Sequence, residues 1–268
     1  MMQLKNVNPI EATNAFVKRE SYGFVNTRDV LSVFEANGWK PVNTQVAKVK
    51  KAERQGFQKH LIKLEHADFQ TIPGLTDANR SKPQLVVLNS HDGTSSLQVL
   101  WGLLRIACLN GIIAGTGLNG VRLVHSKSIT DRLPDAIQYM LDNLPKFHSQ
   151  IAALQGLQLS QDAQAELIKT LYDARLSGIG RLEYVQYNLA NLQRAEDKAT
   201  DAYTVFNRVQ ETLMRGGIRY GYTKEIRDES GNVVAERLVE TTTRRIASVS
   251  SQVKLNQLAY DTALKLAA

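Results

Sequence analysis

The sequence contains little cysteine. Cys108 is the one cysteine among 268 residues. A single cysteine excludes an intramolecular disulfide and a zinc cluster built from several cysteines. Because Cys108 lies inside an apolar run, we expect a buried structural thiol rather than a nucleophile.

Segments for export and membrane insertion are also missing. The amino-terminal stretch MMQLKNVNPIEATNAF contains no apolar core of signal-peptide length. No later run approaches the ~18 uninterrupted apolar residues of a membrane span. Hydrophobic residues make up 43% of the chain and charged residues 22%, which is typical of a folded globular protein. We therefore expect a cytoplasmic protein without a membrane partner.

Motifs for nucleotides and cofactors are equally scarce. The sequence has no Gly-x-x-x-x-Gly-Lys-Ser/Thr loop. A Gly-x-Gly-x-x-Gly match at Gly115, Gly117 and Gly120 precedes a predicted strand, whereas a dinucleotide site requires a helix there. A bend in a sheet explains these glycines better, and we predict no cofactor and no metal.

Positive charge is what the sequence has in excess. The formal net charge is +7 and the isoelectric point is about 9.4. Between residues 40 and 64, seven cations are accompanied by one acid, Glu53. Clustered cations release counterions from a phosphate backbone, so this patch favours nucleic acid, with a solvated surface as the simpler alternative. The cations that we predict to contact DNA are Lys48, Lys50, Lys51, Arg54, Lys59 and Lys63.

Hydrophobic patterning predicts a sheet in the amino-terminal half. Thr27 is a candidate N-cap for a short helix that Asn37 and Gly38 end. Residues 42–50 and 57–66 alternate like the two strands of a hairpin, which would place the cations of each strand on one face. Further strands are predicted at residues 85–88, in the first half of 97–109, and at 121–124.

The second half of the chain has mainly helical spacing. Helices are predicted at residues 129–143, 159–176, 180–215 and 241–266, with a β-hairpin at 218–240 that turns at 228–232. The fold class is therefore α+β: a curved antiparallel sheet with a short helix, followed by a mainly helical half with an inserted hairpin. We predict a basic domain of residues 1–127 and a helical region of residues 128–268, packed as one unit.

A polar turn at residues 89–96 interrupts the apolar middle of the chain, and three interpretations remain open. His91 and Asp92 resemble a general base and its orienting carboxylate, but no Gly-x-Ser-x-Gly elbow presents a nucleophile and further metal ligands are missing. A tight turn with Gly93 at positive φ is the structural alternative. The third is a phosphate-binding nest formed by the amides and hydroxyls of Thr94, Ser95 and Ser96.

The same turn carries a family resemblance. Residues 88–96, LNSHDGTSS, followed by Cys108, Asn110 and Gly111, resemble the signature of an uncharacterised family of phage- and plasmid-like proteins encoded on prophage islands and mobile elements. A later pattern around Tyr203 extends the likeness over residues 59–268. The resemblance implies a mobile-element protein in the host cytoplasm, but no particular activity.

The order of the predicted elements resembles the β-β-β-α core of single-strand annealing proteins, in which a curved sheet and a helix form a basic groove. Annealing requires cations and stacking surfaces rather than a nucleophile. We therefore predict a homo-oligomeric protein that binds single-stranded DNA in annealing or recombination without catalysis. Further phosphate contacts are predicted from Arg244 and Arg245.

Two alternatives stay open. One is an interaction protein of the counter-defence type, which binds a host enzyme through the hairpin at residues 218–240. The other is an enzyme that acts on nucleic acid through His91 and Asp92.

Overall fold

The computed structural model describes residues 8–69, 71–72, 75, 80–106, 110–114, 120–188 and 194–267. After a short 3-10 helix at Pro9–Glu11, helix α1 spans Thr27–Ala36. The predicted N-cap is wrong by one residue, because the Asn26 side chain accepts the hydrogen bond from the Arg28 amide at 2.8 Å. Thr27 is fully buried instead. The predicted stop is confirmed, since Gly38 follows the helix with a φ of 84°.

The amino-terminal half forms the predicted antiparallel sheet. Strand β4 lies at its centre, because β5 pairs with one end of β4 and β6 with the other end, while β3 pairs with its opposite edge. The order of the first five strands is sequential. The strands are β1 (Trp39–Val46), β2 (His60–His66), β3 (Ser81–Asn89), β4 (Leu97–Arg105), β5 (Asn110–Ile113) and β6 (Gly120–Leu123).

The hairpin formed by β1 and β2 is confirmed, but β1 ends earlier and β2 begins later than the alternating pattern predicts. Lys48 and Lys50 follow the end of β1, and Lys59 precedes the start of β2, so these cations do not share a strand face. The connection between the strands contains a 3-10 helix at Ala52–Arg54 and turns at Gly56, whose φ is 89°. Cys108 and the predicted bend at Gly115 and Gly117 lie outside the described residues.

Both faces of the sheet are covered. One face carries Ile62, Leu85, Val87 and Trp101, and it belongs to the main core. The other face carries a smaller apolar cluster that includes two residues of the last helix: its members are Leu61, Val86, Leu88, Leu100, Ile113, Val249 and Val253. The sheet is therefore a layer inside the molecule, and its second face is only partly covered by apolar groups.

The second half is mainly helical, with a three-stranded sheet of its own. The predicted hairpin is confirmed as strands β8 and β9, and strand β7 adds to β8 on its other edge. The helices are α2 (Ile129–Asp142), α3 (Leu144–Gly156), α4 (Gln161–Leu176), α5 (Ala202–Arg215) and α6 (Val249–Leu266), and the strands are β7 (Leu182–Val185), β8 (Arg219–Arg227) and β9 (Val233–Thr242).

Two predicted helices are wrong in part. The segment at residues 180–215 begins with β7, and only its last part is helix α5. The last helix begins at Val249 rather than at residue 241, because Thr241 and Thr242 pair with Tyr220 and Arg219 in the hairpin. Arg244 and Arg245 therefore lie in the connection between β9 and α6, and not on a helix face.

The two halves share one hydrophobic core. Trp101 of β4 stacks on Phe147 of α3 with ring centroids 5.6 Å apart. The Ser81 hydroxyl in β3 lies 2.7 Å from the Tyr203 hydroxyl in α5. The division at residue 127 stays a prediction. Among the described helices, none has the length and apolar character needed to cross a membrane.

Candidate nucleic-acid interface

The predicted cations of the β1–β2 connection meet in one cleft of about 390 Å³, which we call the Lys48 cleft. The connection supplies most of its wall, and the polar turn and helix α6 close it. Of the described residues in its lining, Asp92 is the one that is acidic. The lining includes six predicted contacts: Lys48, Lys50, Lys51, Arg54, Lys59 and Thr94.

The cations of the Lys48 cleft differ in how free they are. Arg54 lies 3.9 Å from the Asp92 carboxylate, and its guanidinium stands over the Phe16 ring at 5.5 Å. Lys59 donates to the Ser250 hydroxyl at 2.6 Å, and burial lowers the pKa of Lys59. Lys48, Lys50 and Lys51 are exposed side chains of the lining. The exposed lysines are therefore available for a phosphate backbone, and Arg54 and Lys59 shape the wall.

A second cleft, the Lys63 cleft, lies between the sheet and the start of α6 and has a volume of about 490 Å³. It contains two predicted contacts, Lys63 and Arg245, together with Arg215 at the end of α5. The hydrogen bonds of Asn256 hold its walls, because the Asn256 Oδ1 atom accepts from Gln210 at 2.5 Å and from the Ile113 amide at 3.4 Å.

A third cleft of about 540 Å³, the Arg122 cleft, contains Ser95 and Ser96 and shares Lys59 and Thr94 with the Lys48 cleft. Arg122 of β6 donates to the Ser96 hydroxyl at 2.9 Å. The shared residues make the two clefts neighbours. We call the surface that contains the three clefts the basic surface.

The polar turn is held together largely by its own hydrogen bonds. The Asp92 carboxylate accepts from the amide and the hydroxyl of Thr94, at 3.1 and 2.6 Å. The Ser95 amide donates to the Ser90 hydroxyl at 2.9 Å, and Gly93 has a φ of 76°. This geometry agrees with the tight-turn interpretation. The amides of Thr94 and Ser95 are already engaged, which leaves the predicted nest fewer donors for phosphate.

The turn also joins a buried network of histidines. The Thr27 hydroxyl lies 2.8 Å from His60 Nε2 and 3.1 Å from His91 Nε2, and it accepts from the Asn89 amide group at 3.0 Å. The His60 Nδ1 atom faces the Gln58 carbonyl at 2.9 Å, so Nδ1 carries the proton and Nε2 accepts from Thr27. His91 must then donate from Nε2, which satisfies all three partners of the threonine.

Burial keeps these rings neutral. It lowers the pKa of His60 to about 4 against a smaller opposing effect of its hydrogen bond to Gln58. Burial, with the neighbouring His60 and His125, also lowers the pKa of His91 to about 4. The His91 Nδ1 atom makes no full hydrogen bond, although the Pro9 carbonyl lies near enough to favour the protonated ring slightly.

His125 extends the network towards the surface. Its Nε2 atom lies 3.0 Å from Asn89 Oδ1 and its Nδ1 atom 3.1 Å from the Gly23 carbonyl, and the ring stacks on Tyr22. Both neighbours are acceptors, so a neutral ring can donate to only one of them. Burial lowers the pKa of His125 against the effect of its Gly23 hydrogen bond.

His91 and Asp92 do not form the arrangement that a general base requires. The His91 ring is fully buried, and its Nε2 atom is bound to Thr27. The Asp92 carboxylate serves Thr94 and Arg54 instead of orienting the ring. Within the described residues, no group of three His, Cys, Asp or Glu side chains is arranged to hold a metal ion.

The sequence did not indicate two of the cations on the basic surface, and one predicted contact lies outside this surface. Arg215 and Arg122 line clefts although the sequence places them far from the basic patch, and no local pattern indicates their role. Arg244 is exposed and lines none of the three clefts, while its carbonyl accepts from Arg175 at 3.1 Å. Only the pairing of the elements brings the missed cations to the surface.

The fold and this surface define an α+β protein in which basic clefts adjoin a polar turn and a neutral histidine network. The chain belongs to the family described as Domain of unknown function (DUF932), whose profile matches residues 16–257. The resemblance to an uncharacterised family is thus confirmed, whereas the phage and plasmid context stays a prediction.

Two curated relatives come from Escherichia coli (strain K12). The chain is similar to UPF0380 protein YafZ and to UPF0380 protein YfjQ, each 26% identical over 240 residues, which is 90% of this chain and 80% of the relative. No solved structure matches the chain.

Proposed function

We propose that the basic surface binds single-stranded DNA through its phosphate backbone, as part of annealing or recombination on a phage or another mobile element. One observation carries the proposal: cations from distant parts of the chain line three clefts, two of which share Lys59 and Thr94. A surface of this kind binds a polyanion by releasing counterions and needs no reading of sequence. Assembly into a homo-oligomer would extend the surface along a strand.

The chemistry of the clefts supports binding rather than turnover. Asp92 is the one carboxylate that the described part of the chain contributes to the lining of the Lys48 cleft, and its oxygens are occupied by Thr94 and Arg54. The histidines of the network are buried and neutral. An enzyme that uses His91 would first have to expose this ring, so we propose a protein that acts without catalysis.

The test is fluorescence anisotropy with labelled single- and double-stranded oligonucleotides over a salt series. We expect tighter binding of the single strand, and a logarithm of the binding constant that falls linearly with the logarithm of the salt concentration. The charge reversals Lys48→Glu and Lys50→Glu together should weaken binding and reduce the slope of the salt plot by about 1.4, since each single-strand phosphate contact contributes about 0.7.

A matched control has the same change in net charge. Lys146→Glu with Lys198→Glu reverses two exposed lysines that lie outside the three clefts. This control should leave the slope unchanged apart from a small general weakening. Absence of binding at low salt, or equal losses in both double variants, would rule the proposal out.

A protein partner is the second candidate, favoured by the exposed hairpin. Val234 is 60% exposed and Leu238 52% exposed, and the hairpin also leaves Ile226 and Val233 open. Apolar side chains on a projecting hairpin are typical of interaction surfaces. Val234→Ser with Leu238→Ser should abolish retention of a host enzyme without affecting DNA binding. If both losses occurred together, the hairpin would belong to the same function as the basic surface.

A further inference from the structure

The Lys63 cleft contains more cationic side chains than nearby carboxylates neutralise. Among the residues that the structure describes, its lining contains three cations and no acidic residue. Arg215 pairs with Glu211, whose carboxylate lies 2.6 Å away and is shared with Arg194. Within the part of the chain that the structure describes, Lys63 and Arg245 have no such partner. Glu65 is the one carboxylate that acts on Lys63, and it is occupied by Lys82 at 3.8 Å and Gln84 at 2.7 Å.

The Lys63 ammonium lies in an unusual place. A Cβ atom on Gly111 would lie 2.1 Å from Lys63 Nζ, so the ammonium occupies the space above this glycine. Lys63 is in β2 and Gly111 in β5, with two strands between them. Neighbouring strands are about 4.8 Å apart, so a flat sheet would separate β2 and β5 by about 14 Å. The side chain can span them only because the sheet curves around the cleft.

This position is costly without an anion. Burial lowers the pKa of Lys63 against the smaller effect of Glu65, since a charged amine loses hydration there. The neighbouring polar groups offer little compensation. Asn256 directs its oxygen to Gln210 and Ile113, and Gln252 donates to the Ile246 carbonyl at 2.9 Å. The positive charge of Lys63 therefore lies beside polar groups that are bound to other partners and do not neutralise it.

We propose that the Lys63 cleft binds a phosphate group between Lys63 and Arg245. Two uncompensated cations match the two charges of a phosphate monoester better than the single charge of a phosphodiester, and arginine with lysine is a common phosphate-binding pair. Two sources carry this chemistry: the 5′-terminal phosphate of a DNA strand, which rests on the proposed function, and free inorganic phosphate or a nucleotide, which does not.

The start of helix α6 links the Lys63 cleft to the Lys48 cleft. Helix α6 supplies Ser250 to the Lys48 cleft and Gln252 to the Lys63 cleft, so its first turn contributes to both clefts. A strand whose 5′ end lies at Lys63 could therefore continue past the exposed lysines of the Lys48 cleft. The backbone of the strand and its terminal phosphate would use different cations.

The first measurement is a thermal melt of the full chain with inorganic phosphate, compared with sodium chloride at equal ionic strength. Phosphate should raise the Tm of the wild type and not that of Lys63→Met, which keeps the apolar stem of the side chain and removes its charge. Gly111→Ala provides a second variant with all charges intact, because its methyl group would occupy the place of the ammonium. Lys146→Met, which changes an exposed lysine outside the cleft, is the control.

The second measurement compares oligonucleotides of one sequence with a 5′-phosphate and with a 5′-hydroxyl. If the source is a strand end, the wild type should bind the phosphorylated form about tenfold more tightly, the equivalent of about 1.4 kcal/mol. Lys63→Met should lose this difference, so that the two forms bind equally, and it should bind both more weakly than the wild type binds the hydroxyl form, because Lys63 also belongs to the basic surface. If the source is a free phosphate, the thermal shift appears without any preference for the phosphorylated end.

The outcomes separate this proposal from the proposed function. A phosphate-dependent shift that needs Lys63, in a protein that binds no DNA, would keep the site and remove the function. DNA binding without a phosphate shift and without an end preference would keep the function and overturn the site. A shift or a preference that survives in both Lys63→Met and Gly111→Ala would also overturn it.

Discussion

Thr27 is the residue on which the buried network depends most. Its hydroxyl donates a hydrogen bond to His60 and accepts hydrogen bonds from His91 and Asn89. Thr27→Val has nearly the same shape but leaves these groups without their partner, and each unsatisfied buried group costs about 1–3 kcal/mol. We expect the free energy of unfolding to fall by about 3 kcal/mol or more in urea denaturation.

Thr130→Val is the matched control for this substitution. Thr130 is the second residue of α2, is exposed, and is replaced by the same β-branched side chain. Its effect should stay within about 0.5 kcal/mol. Equal effects of the two substitutions would show that the network contributes nothing to stability.

The neutral histidines predict a loss of stability in acid. The pKa values of His60 and His91 are about 4 in the folded protein, below the ordinary value of 6.5. The unfolded chain therefore binds protons first as the pH falls. The contribution to stability is complete above pH 6.5 and declines towards pH 4, by about 1.4 kcal/mol per pH unit for each histidine.

Urea denaturation between pH 7.5 and pH 5 measures this slope. Burial also lowers the pKa values of His125 and His148, so His91→Asn removes one of four titrating rings, and we expect it to reduce the slope over this range by at most about 1.4 kcal/mol per pH unit without abolishing it. An unchanged slope in the variant would contradict the assignment of the pH dependence to the network.

The polar turn shows how far residue-level inference reaches. The sequence places His91, Asp92 and Gly93 in one turn, and the positive φ of Gly93 follows from that pattern. It gives no sign of Thr27, which is 64 residues from His91 along the chain. The partners of His91 come from other elements, and only tertiary pairing identifies it as a buried structural side chain.

At the scale of elements, the junction between α5 and β8 depends on two glycines. Gly216 has a φ of 91°, and a Cβ there would lie 2.3 Å from the Thr243 carbonyl oxygen. Gly217 has a φ of 114°, but a Cβ there meets no atom within 4 Å. Gly217→Ala therefore measures the backbone cost, about 1–3 kcal/mol. Gly216→Ala adds a contact that a backbone atom cannot relieve.

We expect Gly216→Ala to destabilise the protein by about 1–3 kcal/mol more than Gly217→Ala, the usual cost of overpacking. Thermal and urea denaturation of the two variants gives this difference directly. If the two variants were equally stable, the close approach of Thr243 to Gly216 would not be part of the folded state.

Elements with strong local signals were predictable from the sequence, and those set by pairing were not. The hairpin of β8 and β9 has alternating residues and a glycine at its turn, Gly231, with a φ of 86°. Strand β7 lies inside a segment of helical spacing and becomes a strand by pairing with β8. The basic patch follows the same rule: its cations are close together along the chain, but loops rather than strand faces carry Lys48, Lys50 and Lys59 to the Lys48 cleft, and the role of these cations in binding DNA stays a prediction.

At the scale of the whole molecule, one ion pair joins the two halves. Arg105 at the end of β4 is fully buried and lies 2.5 Å from Asp197, which precedes α5. Arg105 also donates to the Glu196 carbonyl at 2.8 Å. Removing one partner of a buried pair leaves the other charge uncompensated, at a cost of about 3–5 kcal/mol. Asp197→Asn should therefore weaken both halves and not only the helical one.

Two spectroscopic probes can follow the halves separately in one urea titration. Trp39 and Trp101 both belong to the sheet, so their fluorescence reports on the amino-terminal half. The helical circular dichroism reports mainly on the carboxy-terminal half, because that half contains five of the six α-helices that the structure describes. Because Trp101 packs on Phe147 in a shared core, we expect coincident midpoints in the wild type. Asp197→Asn should shift both midpoints to lower urea by the same amount. A shift of the helical signal alone would mean that residues 1–127 and 128–268 unfold as independent domains.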